Sequence, residues 1–112
     1  MKSIPRISDS EWQIMRVLWT RSPLAASDII EALAASTTWK PKTVMTLVNR
    51  LVIKKAVGFH KKGRAYQYYP LVDEDVCVRA ESRSFLQRVY GGALKPMLAA
   101  LFSDSRLSRE EI

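Results

Sequence analysis

The chain has 112 residues, 47% of them apolar, with four glycines and five prolines. This composition excludes a disordered or collagenous polymer. The length suits a small domain with a thin core, because chains of this size bury only about 60–70% of their unfolded surface. The formal charge is +7, and it is unevenly spread: residues 1–35 carry four bases and four acids, residues 36–72 eight bases and no acid, and residues 73–112 six bases and seven acids. A local excess of this kind is what a face that docks a polyanion needs, whereas uniform basicity serves solubility alone.

Other classes fall away on single residues. Cys77 is the only cysteine and His60 the only histidine, so no internal disulfide is expected and no zinc or copper site. No apolar run approaches the roughly 18 residues that cross a bilayer. The N-terminus, MKSIPRISDSEW, lacks an apolar targeting core and reads as a short exposed tail. No membrane insertion is expected, and a cytoplasmic protein is. The basic stretch holds no carboxylate to place a metal beside a phosphate and no Gly-rich phosphate loop, so neither an enzyme nor a cofactor is expected.

In chain order, Ser8 and Glu11 have the spacing of a capping box and open the first helix. Trp12, Met15, Leu18 and Trp19 supply its apolar face, and both tryptophans are expected in the core; Arg21-Ser22-Pro23 stops it. A second helix is predicted over residues 25–35, with Ile29, Ile30 and Leu33 inward, closed by Ser36-Thr37-Thr38. The third helix is marked by Val44, Leu47, Val48, Leu51 and Val52 at three–four spacing. Pro41 suits its first position and Lys40 its N-cap, where a lysine forgoes the side-chain hydrogen bond that Ser or Asp would make.

Val57-Gly58-Phe59-His60 and Ala65-Tyr66-Gln67-Tyr68-Tyr69 are rich in strand formers and flank Lys61-Lys62-Gly63-Arg64. With Gly63 free to turn and Pro70 ending the second run, they predict a two-stranded hairpin with a basic tip. Three helices followed by a hairpin describe a winged helix-turn-helix over residues 1–72. The fold class is therefore mainly α with a small β-hairpin.

Acids return at Asp73-Glu74-Asp75 and open a fourth helix, in keeping with the positive end of its dipole. It is expected to run to about residue 90, with Val78, Phe85, Leu86 and Val89 on or near one apolar side, and to end at Gly91-Gly92. Leu94, Met97, Leu98, Leu101 and Phe102 then repeat the helical spacing, and Ser108-Arg109-Glu110-Glu111 forms a second capping-box pattern. Two such helices make a poor core alone. Residues 73–112 are accordingly read as a helical dimerisation domain in which two copies interleave into a homodimer, the alternative being that they pack back on their own subunit.

With its apolar side inward, the third helix turns Lys42, Thr43, Met45, Thr46, Asn49 and Arg50 to solvent or its flanks. Asn49 can pair with adenine and Arg50 with guanine or phosphate; the methyl groups of Thr46 and Met45 can pack on thymine. Lys42 and Thr43 sit beside free helix-start amides, a place for phosphate, and Lys40, which brings a positive charge to the N-cap, is counted with them as DNA-binding. Lys61, Lys62 and Arg64 are expected on the backbone beside the groove, with Arg64 able to enter the minor groove, and Tyr66 as a hydroxyl contact. Tyr68 and Tyr69 are expected to pack, Trp39 to pin the turn before the third helix, and Lys54 and Lys55 to broaden the positive field without directed contacts. The same residues also admit a plain solvated helix and loop, a nucleic-acid binder without sequence preference, or an adaptor for an acidic protein.

WKPKTVMTLVNRL, followed by HKKGRAYQYYPLV and SRSFLQRVYGG, resembles the penicillinase-repressor family of bacterial transcription repressors, the BlaI/MecI/CopY type. The likeness extends from about Ile7 to Ile112. It implies a dimer on a palindromic operator in duplex DNA, with the third helix in the major groove and interlocked C-terminal helices. Pro41, Lys42, Thr43, Thr46 and Arg50 fall in the family's groove-facing motif, and Lys61, Lys62, Arg64 and Tyr66 in its wing. Two positions depart from it: Lys40 stands where relatives often have a capping serine, and Met45 where they often have Arg or Gln. The resemblance also implies a regulatory protease or sensor as a partner. The bond cut in antibiotic-resistance repressors, an Asn-Phe bond, corresponds to Ala100-Leu101, and the paired cysteines of copper-responsive relatives are absent.

Overall fold

The computed structural model describes residues 4–103, so the expected capping box at Ser108–Glu111 lies outside the described residues. The chain divides into two compact units, Met1–Glu74 and Asp75–Ile112. In the first, α1 (Asp9–Thr20), α2 (Ala26–Ala34) and α3 (Pro41–Ile53) are joined by three strands, β1 (Leu24–Ala25), β2 (Val57–Lys62) and β3 (Ala65–Pro70). This is a winged helix-turn-helix.

The capping box at the start of α1 is complete: the Ser8 amide donates to Glu11 Oε1 at 2.9 Å, and the Glu11 amide donates to Ser8 Oγ at 3.2 Å. Ile14, Met15 and Leu18 are wholly buried. Trp12 and Trp19, expected in the core, are half-buried instead. They meet edge to face, 5.6 Å apart, and Trp19 donates its indole N–H to the Val72 carbonyl at 2.9 Å. A large ring with a polar N–H is better satisfied at the margin of a thin core than inside it.

The sheet also differs from expectation. Ala25, expected to begin α2, pairs instead with Gln67 of β3, and Leu24 before it with Tyr68, so the hairpin is part of a three-stranded antiparallel sheet in the order β1-β3-β2. A two-residue strand has no periodicity of its own to reveal it. Behind the sheet and between the helices, Leu24, Ile29, Leu33, Val44, Leu47, Val48, Leu51, Ala56, Val57 and Tyr68 complete the core.

The end of α3 is closed by two reverse hydrogen bonds. The Ala56 amide reaches the Leu51 carbonyl at 2.9 Å and the Lys55 amide the Val52 carbonyl at 3.0 Å, while Lys55 takes φ +66°. This is a Schellman cap with lysine in the left-handed position that glycine usually fills. Nor does Lys54 merely add to the surrounding field. Its ammonium donates to the Glu11 carboxylate and to the Arg6 carbonyl, the latter at 2.8 Å. Glu11 is 1% exposed. Burial alone pushes its carboxyl up, but the Lys54 hydrogen bond and charge, with the Ser8 amide and hydroxyl, outweigh burial and hold it below its ordinary value.

The second unit carries α4 (Glu74–Tyr90) and α5 (Leu94–Phe102). Gly91 and Gly92, both at positive φ, end α4 by donating to the Gln87 and Leu86 carbonyls at 3.1 Å. Cys77 is the only buried residue of these two helices. Val78, Phe85, Val89, Leu94, Leu98, Leu101 and Phe102 are exposed, and Leu86 and Met97 half-buried. Among the described residues no helix is long and apolar enough to cross a membrane.

Candidate nucleic-acid interface

The inner side of α3 fixes its outer side. With Val44, Leu47, Val48 and Leu51 buried, Lys42, Thr43, Thr46, Asn49 and Arg50 are exposed. Met45, expected on the reading surface, is half-buried and offers it only part of its side chain. Thr46 Oγ1 donates to the Lys42 carbonyl at 3.0 Å. Its proton is thus engaged, and what remains for a ligand is a methyl group and an acceptor lone pair.

At the start of α3, Lys40 is the N-cap and makes no side-chain hydrogen bond, Pro41 has no N–H, and no acid occupies the first turn. The Lys42 and Thr43 amides therefore point out of the helix without an intrahelical acceptor. Free amides, the positive end of the helix dipole and two lysines together favour an anion. Ser10, Trp39, Thr43, Thr46, Leu47 and Arg50 line an open cleft of about 290 Å³ on this side of α3.

The wing places its charges differently from the sequence expectation. Lys61 and Lys62 are not turn residues but the last two residues of β2, opposite Tyr66 and Ala65. The turn itself is Gly63-Arg64, with Gly63 at φ +66°. Because strand side chains alternate, Lys61 and Lys62 face opposite sides of the hairpin, and Arg64 alone is at the tip. Lys61, Lys62, Arg64 and Tyr66 are all exposed. Tyr68 is buried, as expected, and its hydroxyl is pushed up by burial and by the neighbouring Tyr66. Tyr69, half-buried, lies on the other face against His60, ring centres 5.7 Å apart.

Residues 7–112 match the model of the Penicillinase repressor family. The protein belongs to that family. The penicillinase repressor of Bacillus licheniformis is 41% identical over 112 residues, all of this chain and 88% of its own. The methicillin resistance regulatory protein MecI of Staphylococcus aureus is 33% identical over 106 residues, 95% of this chain and 86% of its own. Among solved structures, the DNA-binding domain of the repressor BlaI is 43% identical with a TM-score of 0.60, covering 66% of this chain and 90% of that one. The monomeric form of Bacillus licheniformis BlaI in complex with the blaP half-operator is 43% identical with a TM-score of 0.59, covering 67% and 92%.

Within this penicillinase-repressor fold, the geometry gathers Lys40, Lys42, Thr43, Thr46, Asn49 and Arg50 on one helix, and Lys61, Lys62, Arg64 and Tyr66 on one hairpin. Two residues near α3 were not expected there. Ser10 belongs to α1 and reaches the cleft only through the packing of α1 on α3. Trp39, expected only to pin a turn, does so through an amide donated to Thr37 Oγ1 at 3.3 Å, and it also forms a wall of the cleft. The tryptophan of the WKPKT motif was the one signal available for it; nothing local marks Ser10. Among the described residues no group of three His, Cys, Asp or Glu side chains can hold a metal ion.

Proposed function

We propose that the protein is a homodimeric transcriptional repressor that binds a palindromic operator in duplex DNA. The observation that carries this reading is the outer side of α3, free of acid, with unpaired amides and lysines at its start and Thr46, Asn49 and Arg50 along its exposed length. The half-operator complex of the 43%-identical BlaI supports DNA as the polyanion.

In this reading α3 enters the major groove. Lys40, Lys42 and Thr43 take phosphates at the groove edge, Asn49 and Arg50 pair with base edges, and the Thr46 methyl, with the uncovered part of Met45, packs on thymine. Lys61, Lys62 and Tyr66 follow the flanking backbone, and Arg64 at the tip reaches the backbone or the minor groove. Most affinity comes from phosphate neutralisation and is lost as salt rises, while discrimination comes from α3.

The homodimer rests on α4 and α5. Val78, Phe85, Val89, Leu94, Leu98, Leu101 and Phe102 leave more apolar surface open than two helices can profitably keep in water. A second copy, interleaving the same helices and burying Leu86 and Met97 further, covers it with a self-complementary interface and matches the two-fold symmetry of an inverted repeat. Repression follows from occupying a promoter in the cytoplasm. A regulatory protease or sensor that acts on α5, where Ala100 and Leu101 are exposed, would relieve it.

The test is a titration of labelled duplexes, one carrying an inverted repeat from upstream of the protein's own gene and one with the same bases scrambled, across a range of salt. Tighter binding to the first at every salt concentration is expected. Equal affinity would leave a nucleic-acid binder without sequence preference.

A further inference from the structure

One side of the wing is built as a row of rings. Buried Tyr68 stands directly across the ladder from Phe59, their ring centres 6.0 Å apart, and Phe59 meets Tyr66 edge to face at 5.1 Å and 77°. The three differ sharply in exposure: 7% for Tyr68, 46% for Phe59 and 49% for Tyr66. Phe59 is thus the step between the core and an aromatic ring that stands almost in solvent.

Tyr66 has little else to hold it. On the far side of β3 the strand β1 ends at the Ala25–Gln67 pair, one residue short of Tyr66. Among the described residues only β2 flanks it, and on that strand its direct partner is the flexible Lys61. The Tyr66 hydroxyl has no hydrogen-bond partner among the described residues. Alternation along the strands puts Phe59, Lys61, Tyr66 and Tyr68 on one face, so hydroxyl and ammonium emerge there side by side.

We infer that Phe59 is a positioning residue for DNA binding, holding the Tyr66 ring so that its hydroxyl and the Lys61 ammonium meet the same backbone phosphate. The inference rests on the reading of the wing as a DNA contact. Phe59 itself brings no charge and no hydrogen bond; it acts by limiting the directions in which a half-exposed phenol can point, so less ordering remains to be done when the phosphate arrives. A phosphate contact is blind to base sequence, which lets a short mixed-sequence duplex at low salt serve as the probe.

Four proteins are compared on that duplex: the natural chain, Phe59→Ala, Tyr66→Phe and the double variant. Tyr66→Phe should weaken binding by about 2- to 10-fold, the range of a single hydrogen bond, and Phe59→Ala by up to as much. The double variant should bind no more weakly than the weaker single one, because both changes disable the same hydroxyl. The slope of affinity against salt should stay that of the natural chain in Phe59→Ala and fall in Lys61→Ala. Phe59→Leu, which keeps an apolar contact with Tyr68 but has no ring edge, carries the same cycle should the alanine variant not fold. Multiplying effects, an unchanged affinity of Phe59→Ala, or a lowered salt slope in it would overturn the inference and leave the DNA-binding reading intact. Failure of the natural chain to bind any duplex at low salt would overturn both.

Discussion

Lys54, the C-cap of α3, donates its ammonium to the carboxylate of Glu11, the third residue of α1. The same carboxylate accepts the Ser8 amide of the capping box, and the same ammonium donates to the Arg6 carbonyl. One ion pair therefore ties the end of α3 to the beginning of α1 and to the segment before it. Lys54→Met keeps the aliphatic stem and strands a buried carboxylate. Because the Lys54 side chain is 34% exposed, water replaces part of what is lost, and a cost of about 1–3 kcal/mol is expected. Urea denaturation should show a lowered midpoint at an unchanged slope. Among folded molecules the salt dependence of DNA binding should not move, which separates Lys54 from the lysines of the proposed DNA interface.

The pair also sets an acid limit. Folding holds the Glu11 carboxyl below its ordinary value of 4.5, so the unfolded chain binds a proton more readily than the folded one. The stabilisation is then fully present above the unfolded value and is lost as pH falls through the folded one. Stability should decline on acidification below about pH 4.5, and Glu11→Gln should be less stable at neutral pH yet show a flatter acid limb. Urea midpoints across an acid series check both; an unchanged limb in the variant would remove Glu11 as its source.

Lys55 offers a change in the other direction. At φ +66° its Cβ crowds its own backbone, a strain that glycine does not feel. Lys55→Gly relieves it and keeps both Schellman hydrogen bonds, at the cost of a more flexible unfolded chain. A net gain of about 0.5–1 kcal/mol is expected, read as a higher thermal midpoint.

Base and phosphate contacts on α3 should separate by their signatures. Arg50→Ala should narrow the ratio of operator to scrambled affinity by about 1–3 kcal/mol if its guanidinium forks onto a base. Lys42→Ala should instead weaken all duplexes alike and lower the salt slope by about 0.9. An unchanged ratio in Arg50→Ala would move that residue to the phosphate class.

The apolar faces of α4 and α5 yield the remaining test. Phe85→Asp or Leu98→Asp places a charge among residues that the proposed dimer buries, and sedimentation should show a shift from dimer to monomer at micromolar protein. Half-site duplexes should then be bound as tightly as full inverted repeats. A dimer that survives both changes would place the interface elsewhere.

What the sequence made legible follows from the range over which each feature is encoded. The capping box at Ser8 and Glu11, the buried stripe of α3 and the helix stop at Gly91-Gly92 are written within a few neighbouring residues, and all three stand in the structure. The pairing of Leu24 with Tyr68 was not legible, because two residues show no period and their partner lies 44 positions away. Lys54 read as one more base in a basic run; only the packing of α1 on α3 brings Glu11 to it. For the interface, the residue types on α3 could be named from the helical period. The burial of part of Met45 and the arrival of Ser10 and Trp39 in one cleft depend on how α1 lies against α3, which no local pattern records.

Strand order gives the wing a second consequence. Because β3 lies between β1 and β2, the outer margin of β2 is left with backbone donors and acceptors that no strand covers among the described residues. An open margin of this kind invites a strand from another molecule and is a common start of aggregation. Here the margin ends in Lys61 and Lys62, whose mutual repulsion with any like copy keeps it from growing. The charges assigned to the proposed DNA contact also keep the protein apart from itself at that margin, so variants that neutralise them to probe binding will be more prone to precipitate.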